Sequence, residues 1–405
     1  MLFNMQQPAV REYLKQAEFG IERESLRVCS DGSLSRTPHP FAEHKNIDRD
    51  FCENQIELIS DVFQSPEEVN AQLVSLQKTV NRTLREQDEY LWPFSNPPRV
   101  SAEAEIPIAQ YSGSMKSKSV YREYLAKKYG KRKMLLSGIH LNFSFTEALL
   151  REGFEQSGEK SFDDYKNRIY LELGARLAKY AWLVVYLTAA SPVADNSVGT
   201  NSNIYSSVRC SELGYWNYFT PVFDYTDLQS YVRSIQRYID NGHLRSASEL
   251  YYPVRLKPKG ANSLQELAQK GINHIELRVT DVNPLSETGI FNEDIRFVHI
   301  LMLYLASLSQ QMYSSSDQMK AVSDVKDAAV FGSEAIRTRA VETLAEIRDF
   351  VGQYFPEWTD TVDYQLSKTE KGCSYAEIVS ARFADDYMKK GMELAKAYRE
   401  RIGYV

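Results

Sequence analysis

Residues 19–28 read FGIERESLRV, and the order of residue types in this stretch decides the architecture. Written as a strand, it sets Glu22 and Glu24 on one face with Leu26 and Val28, and Ile21 and Arg23 on the other. Residues i and i+2 of a strand lie about 6.5–7 Å apart on the same face. Two carboxylates at that spacing repel each other unless cations or donors lie between them, and a hard cation such as Mg²⁺ takes oxygen ligands of this kind. The plainer alternative is a solvated outer face on which Arg23 and Arg27 offset the acids.

Working outward, the segments 139–145, 205–211 and 273–279 alternate with the same period of two and predict further strands. Between them the period changes to that of a helix. Ser65-Pro66-Glu67-Glu68 gives a cap, a proline at the first helical position and early acids. Val69, Leu73, Leu76, Val80 and Leu84 follow on one face, predicting a helix across 64–90. Tyr165, Ile169, Leu173, Leu177, Tyr180 and Val184 predict a second. From about Glu293 to Arg401 the pattern predicts three more helices, broken near Ser314–Ser316 and around Phe355 to Thr369, with 375–398 as one of them. Strands scattered between helices, without strict βαβ alternation, predict an α+β chain with a mixed or antiparallel sheet.

The chemistry lies in the strands. In DFCENQIELIS (50–60), Asp50, Glu53 and Glu57 share a face if the segment is helical; Glu53 and Glu57 share one if it is extended. The acids interleave with Ile56, Leu58 and Ile59, so at least one lies near buried surface and needs a metal, an Arg or water access at an edge. SGIHLNFSF (137–145) turns His140, Asn142 and Ser144 to one face and Ile139, Leu141, Phe143 and Phe145 to the other. A satisfied structural histidine and a ligand are both compatible with that pattern. HIELRVTDVNP (274–284) pairs Glu276 with Arg278 opposite Ile275, Leu277 and Val279; the arginine either grips an anion bidentately or forms an internal pair with the glutamate. If these faces line one trough, it holds several carboxylates and fixed cations, which suits metal ions and a polyphosphate, and supports phosphoryl transfer from ATP. The chain contains neither GxxxxGK[ST] nor a GxGxxG after a strand, which disfavours P-loop and Rossmann nucleotide sites.

Composition narrows the partners. The 405 residues are 43% hydrophobic and 25% charged, ordinary for a globular protein, so disorder and collagen-like repeats are excluded. Lys and Arg total 48 against 54 Asp and Glu, a net charge of −6, which argues against nucleic-acid and anionic-membrane partners. The longest apolar run, Tyr180 to Ala194, is about fifteen residues and includes Pro192, short of the roughly 18–20 of a membrane helix. The first residues, MLFNMQQPAVREYLK, lack the build of a signal peptide, and Cys29, Cys52, Cys210 and Cys373 form no CxxC pair. A reducing, cytoplasmic location is expected.

Taken together and in this order, FGIERESLRV, DGSLSRTPHP, DFCENQIELIS, LWPFSNPP, IAQYSGSMKSKSVYREYLAKKYG, SGIHLNFSF, VRCSELGYWN, ELYYPVRLKPKG and GINHIELRVTDVNPLSETGI resemble glutamate–cysteine ligase (γ-glutamylcysteine synthetase). The form is that of proteobacteria and of the first half of bifunctional glutathione synthases, and the likeness spans roughly residues 18 to 310. It implies a fold related to glutamine synthetase, with a curved, mostly antiparallel sheet forming a funnel among helices. Residues 1–405 would be a single catalytic domain with a helical part from about 292. It implies ATP-dependent joining of the γ-carboxylate of glutamate to the amine of cysteine through a γ-glutamyl phosphate, with Mg²⁺ or Mn²⁺. The family's metal ligands fall on Glu22, Glu24, Asp50, Glu57, His140 and Glu276, and its anion-gripping arginines on Arg209 and Arg278. Phe51, Tyr121, Arg122, Leu125, Tyr215 and Tyr251 match residues around its amino-acid pocket.

Two positions depart from the family pattern. Met134 replaces a pocket glutamine and Leu141 replaces a tyrosine, so a polar handle on the acceptor amine is exchanged for soft apolar contact. A γ-glutamyl ligase with another amine acceptor is therefore one alternative, and a catalytically silent relative that binds an amino acid or nucleotide is another. No fused ATP-grasp region is expected within the chain.

Overall fold

In chain order the strands are β1 (Ala17–Cys29), β2 (Ile47–Arg49), β3 (Gln55–Ile59), β4 (Glu89–Leu91), β5 (Gly138–Phe145), β6 (Val254–Lys257) and β7 (His274–Asp281). They belong to a computed structural model that describes residues 2–41, 44–197, 204–309 and 313–403. All pairings are antiparallel, in the order β2-β3-β1-β5-β7-β6, with β4 against the far end of β1. The thirteen-residue β1 is the spine. Its length lets β3, β4 and β5 all bond to it.

The helices are α1 (Pro8–Leu14), α2 (Pro66–Arg85), α3 (Lys116–Tyr129), α4 (Glu147–Ser157), α5 (Phe162–Thr188), α6 (Leu228–Asp240) and α7 (Leu264–Lys270). The C-terminal set is α8 (Asn292–Ser307), α9 (Ser315–Ala328), α10 (Glu334–Tyr354), α11 (Thr359–Ser367), α12 (Tyr375–Phe383) and α13 (Tyr387–Gly403). The expected helix at 64–90 is α2: Ser65 Oγ accepts from the Glu68 N–H, and Val69, Leu73, Leu76, Val80 and Leu84 are buried. Loss of such a cap costs about 1 kcal/mol.

Alternation along the strands gives the sheet two different faces. Ile21, Ile139, Leu141, Phe143, Ile275 and Leu277 enter a large core with α2, α5 and α8. On the opposite face Leu26 and Val28 join Phe51, Trp92, Phe94, Met134 and Tyr251, with Val379, Phe383, Tyr387 and Met392 from α12 and α13. Burying each such side chain fully contributes about 1.5–3 kcal/mol. Between these two apolar bodies the face that carries Glu22 and Glu24 is left for polar groups.

Several expectations require correction. Residues 205–211 form no strand: every residue from Ser207 to Ser211 is buried, and the Ser211 N–H closes a turn on the Ser207 and Val208 carbonyls. Residues 50–54 form a turn and only 55–59 extend, so the helical alternative for 50–60 falls. The C-terminal part holds six helices among the described residues rather than three: the chain also turns at 330–333 and 384–386, and the stretch from Phe355 to Thr369, expected as a break, holds α11. Arg23 and Arg27 do not sit on a solvated face. Arg23 is 2% exposed and bonds Gln77 of α2 at 2.5 Å, while Arg27, fully buried, pairs with Glu89 at 2.8 Å. Among the described residues no helix is long and apolar enough to cross a membrane.

Candidate active site

Register, more than sequence proximity, assembles the site. Glu24 lies opposite Glu57, Glu22 opposite His140, and Asn142 opposite Glu276, which in turn faces Arg255. One row of polar residues therefore crosses β3, β1, β5, β7 and β6. The β5–β7 register shifts between Ile139 and Leu141, and the Arg278 N–H donates to the Pro253 carbonyl. A bulge at this point re-aims the side chains of His140 and Arg278.

The resulting contacts are short. His140 Nδ1 lies 3.1 Å from Glu22 Oε2 and 3.4 Å from Arg278 Nη1, and its Nε2 lies 3.9 Å from Glu24. Asn142 donates to Glu22 at 3.3 Å. Arg278 Nη1 is 3.1 Å from Glu276 Oε1, with Lys257 at 3.5 Å and Arg255 at 3.9 Å from the same carboxylate. The internal Glu–Arg pair considered for β7 is thus present. Glu22, Glu57 and His140 offer ligand atoms that all lie within 4.8 Å of one another. His140 Nε2 and Glu276 Oε2 are buried with no hydrogen-bond partner, which is costly unless a ligand engages them.

Charge is distributed unevenly along the row. Burial and then Asp50 push Glu24 up to about 8, although Arg209 and the Gly138 N–H oppose the shift. Burial, followed by repulsion from Glu22, Asp50 and Glu24, holds Glu57 well above the carboxylate range. Burial also disfavours charge on Glu276, yet Arg278, Lys257 and Arg255 overcome it and keep that carboxyl well below its usual range. Burial and Arg278 depress His140 to about 4, so its imidazole is neutral near pH 7. The Glu24–Glu57 end is thus a cluster of crowded carboxyls, held protonated by burial and mutual repulsion until a cation offsets them, and the Arg278 end is a cationic one that attracts anions.

Arg209 arrives from the 205–211 turn, lies over Gly138, and is buried. A Cβ on Gly138 would sit 2.2 Å from Arg209 Cζ, so only glycine admits the guanidinium. Asp281 at the end of β7 fixes this turn by accepting from Ser207 Oγ at 2.9 Å, Ser191 Oγ at 2.7 Å and the Ala190 N–H at 2.9 Å. Arg209, Tyr215, Tyr251 and Arg278 line one cleft.

Of the residues matched to the amino-acid pocket, Phe51, Leu125, Met134 and Tyr251 share one buried cluster, with Tyr121 and Tyr215 packed against it. Arg122 on α3 donates to the Asp50 carbonyl, and its second amino group lies 3.8 Å from the Asp50 carboxylate. Leu141 is elsewhere. It is fully buried among the helices behind the sheet, on the face opposite His140, so the change at this position does not touch the pocket. Glu53 is also outside the row: it accepts from the His39 and Gln110 N–H groups and pairs with Arg49, holding loops together. Sequence reasoning missed Lys257 and Arg255, whose strand β6 spans only four residues and is too short to show a period. It also missed Asn142 as a Glu22 donor, although that residue shares the face of His140.

A family model described as glutamate–cysteine ligase matches residues 2–244 and 219–328. A protein named glutathione biosynthesis bifunctional protein GshAB from Listeria monocytogenes serotype 4b is 34% identical, over 97% of this chain and 56% of its own length. Its namesake from Clostridium perfringens is 32% identical, over 96% and 55%. The chain thus spans about half the length of the curated relatives it matches. Among solved structures, a bifunctional glutathione synthetase from Pasteurella multocida superimposes with a TM-score of 0.87 at 28% identity, covering 97% of this chain and 53% of that one. A glutamate–cysteine ligase from Francisella tularensis, in complex with AMP, shares the fold with a TM-score of 0.86 at 23% identity, covering 96% and 89%.

Proposed function

The chain belongs to the glutamate–cysteine ligase family, and from that premise we propose that it joins the γ-carboxylate of L-glutamate to the amine of L-cysteine at the expense of ATP. The observation that carries this reading is the row itself: a cluster of crowded carboxyls (Glu22, Glu24, Glu57) meets a cationic one (Arg278, Lys257, Arg255) at His140. Residues 1–405 act on this reading as one catalytic domain. The cytoplasm is the proposed location, where ATP is available and the four free cysteines stay reduced.

Glu22, Glu24, Asp50, Glu57, His140 and Glu276 would hold Mg²⁺ or Mn²⁺; hard oxygen donors with one imidazole suit these ions, and the unpartnered His140 Nε2 and Glu276 Oε2 supply ligand atoms. Bound there, such ions neutralise the nucleotide phosphates and the charge that develops on transfer. Arg278 and Arg209 hold the transferring phosphoryl group, a task for planar, permanently charged forks. Glutamate's γ-carboxylate oxygen attacks the γ-phosphorus and the bond to ADP breaks. The acceptor's ammonium group releases a proton to solvent, its nitrogen attacks the acyl carbon, and phosphate leaves, taking up the second proton that the new amide nitrogen sheds. Phe51, Tyr121, Arg122, Leu125, Met134, Tyr215 and Tyr251 enclose the acceptor and keep water from the acyl phosphate.

Met134 favours a second reading of the acceptor alone. Its buried thioether lies in the cluster of Phe51, Leu125 and Tyr251 and offers no donor, which suits an amine with an apolar side chain. Measurement of ADP release with ATP, Mg²⁺, glutamate and each of the twenty amino acids tests both readings. Release strongest with cysteine and abolished by chelation is expected; a tenfold or greater preference for another amine, about 1.4 kcal/mol, selects the second reading. Absence of glutamate-dependent release with every amine would overturn the ligase proposal.

A further inference from the structure

One wall of the acceptor pocket is α3, and it is held mainly by polar contacts. Only Ser119, Leu125 and Tyr129 of its 14 residues are buried, and its N-terminus has no side-chain cap. Tyr121, Arg122 and Leu125 lie in its middle, and Arg122 ties that part to Asp50. One turn further on, the helix meets a carboxylate with no exposed surface, Glu249.

Glu249 Oε1 accepts from Lys128 Nζ at 2.5 Å, Tyr129 OH at 2.8 Å and Tyr124 OH at 3.3 Å, all from α3. Its Oε2 accepts from the Arg245 N–H at 2.6 Å. Asn217 completes the junction: its amide donates to Tyr129 OH at 3.1 Å and to the Glu249 carbonyl at 2.9 Å, and its side-chain oxygen accepts from the Tyr251 N–H at 2.9 Å. Tyr251 then packs edge-on against Tyr129 and Tyr215, with ring centres 5.2 and 5.0 Å away. Three separate pieces of the pocket wall, α3 and the segments around 215–217 and 249–251, therefore meet at one buried carboxylate.

We propose that Glu249, with Asn217, is the positioning residue that clasps α3 over the acceptor pocket and so sets affinity for the amine substrate. Neither residue is placed against the phosphates or the metal-binding row. The clasp acts through Tyr251, Tyr129 and the α3 side chains, and its effect is confined to one of the three substrates. The inference rests on the reading that this pocket takes the amine.

Steady-state kinetics of the whole chain, with L-cysteine as the probe, separate the clasp from a merely structural role. Glu249→Gln keeps the shape but removes the charge facing Lys128, and Lys128→Met removes the other side. Each should raise KM for cysteine by about tenfold or more with kcat little changed, because a displaced wall removes binding that the amine makes equally in the ground and transition states. KM for glutamate and for ATP should stay within about twofold, and Lys128→Arg should restore most of the cysteine affinity, as a charge-assisted bond is kept. A parallel rise in all three KM values, or a fall in kcat with the cysteine KM unchanged, would overturn the proposal. Tyr251→Ala serves as the control on the pocket. If it too leaves the cysteine KM unchanged, the location of the amine pocket fails and the clasp with it; if it raises that KM while Glu249→Gln does not, only the clasp fails.

Discussion

Replacement of Glu276 by glutamine probes the junction of the two charge clusters. The side chain is 1% exposed, and its carboxylate faces Arg278 at 3.1 Å, Lys257 at 3.5 Å and Arg255 at 3.9 Å. At an effective dielectric of about 20, opposite unit charges 3.1 Å apart attract by about 5 kcal/mol. The amide still accepts one hydrogen bond, but three cations lose their common counter-charge. Breaking a buried pair of this kind costs about 3–5 kcal/mol, a large share of the 5–15 kcal/mol that typically holds a domain together. Urea denaturation should therefore show a clearly lowered midpoint for Glu276→Gln. The same titration with MgCl₂ tests the metal role: at free Mg²⁺ near 100 times its Kd the wild type gains about 2.7 kcal/mol, and the variant should gain much less. An unchanged midpoint would refute the electrostatic argument. A lowered midpoint with the full Mg²⁺ gain would leave Glu276 a structural counter-ion and move the ion to other ligands.

Arg278→Lys keeps the charge but loses the planar fork, so kcat should fall by about 100-fold, the scale of losing one main electrostatic stabiliser; near-normal kcat with only a raised glutamate KM would make Arg278 a ground-state clamp. Met134→Gln should shift kcat/KM among amine acceptors, whereas Leu141→Tyr should lower stability by about 1–3 kcal/mol through overpacking and leave acceptor preference alone; an acceptor switch from the Leu141 change would contradict its place behind the sheet. His299 is buried, donates to the Leu14 carbonyl and is depressed to about 4 by burial. The unfolded chain therefore takes up a proton near pH 6.5 that the folded one refuses, and stability should fall by about 3 kcal/mol as pH drops from 6.5 to 4. Denaturation midpoints measured across that range should lose this slope in His299→Gln; an equal slope in the variant would assign it to other groups.

Much of the site could be read in the sequence because β1, β5 and β7 each bury one face, so the period of two separates Glu22 and Glu24, His140, and Glu276 and Arg278 from the core. Pairing register was not legible, and it is register that sets Glu24 against Glu57 and Glu22 against His140. The 205–211 segment misleads for a physical reason: Ser207 to Ser211 are all buried in a turn that Asp281 holds through Ser207, so the alternation of Val208 and Cys210 with Arg209 and Ser211 arises without a pleat. Strands β2, β4 and β6 are three or four residues long and leave no periodic trace. Glu249 gave no signal at all, since a lone acid before Leu250 and Tyr251 carries no pattern; only its four donors reveal it.

The proposed γ-glutamyl phosphate is tested most directly by the fate of oxygen. Glutamate labelled with ¹⁸O in its γ-carboxylate, turned over with ATP, Mg²⁺ and cysteine, should deliver one ¹⁸O atom to each inorganic phosphate released, with ADP as the other nucleotide product. Unlabelled phosphate, or AMP with labelled AMP oxygen in place of ADP and phosphate, would contradict phosphoryl transfer to the γ-carboxylate at the Arg278 end of the site.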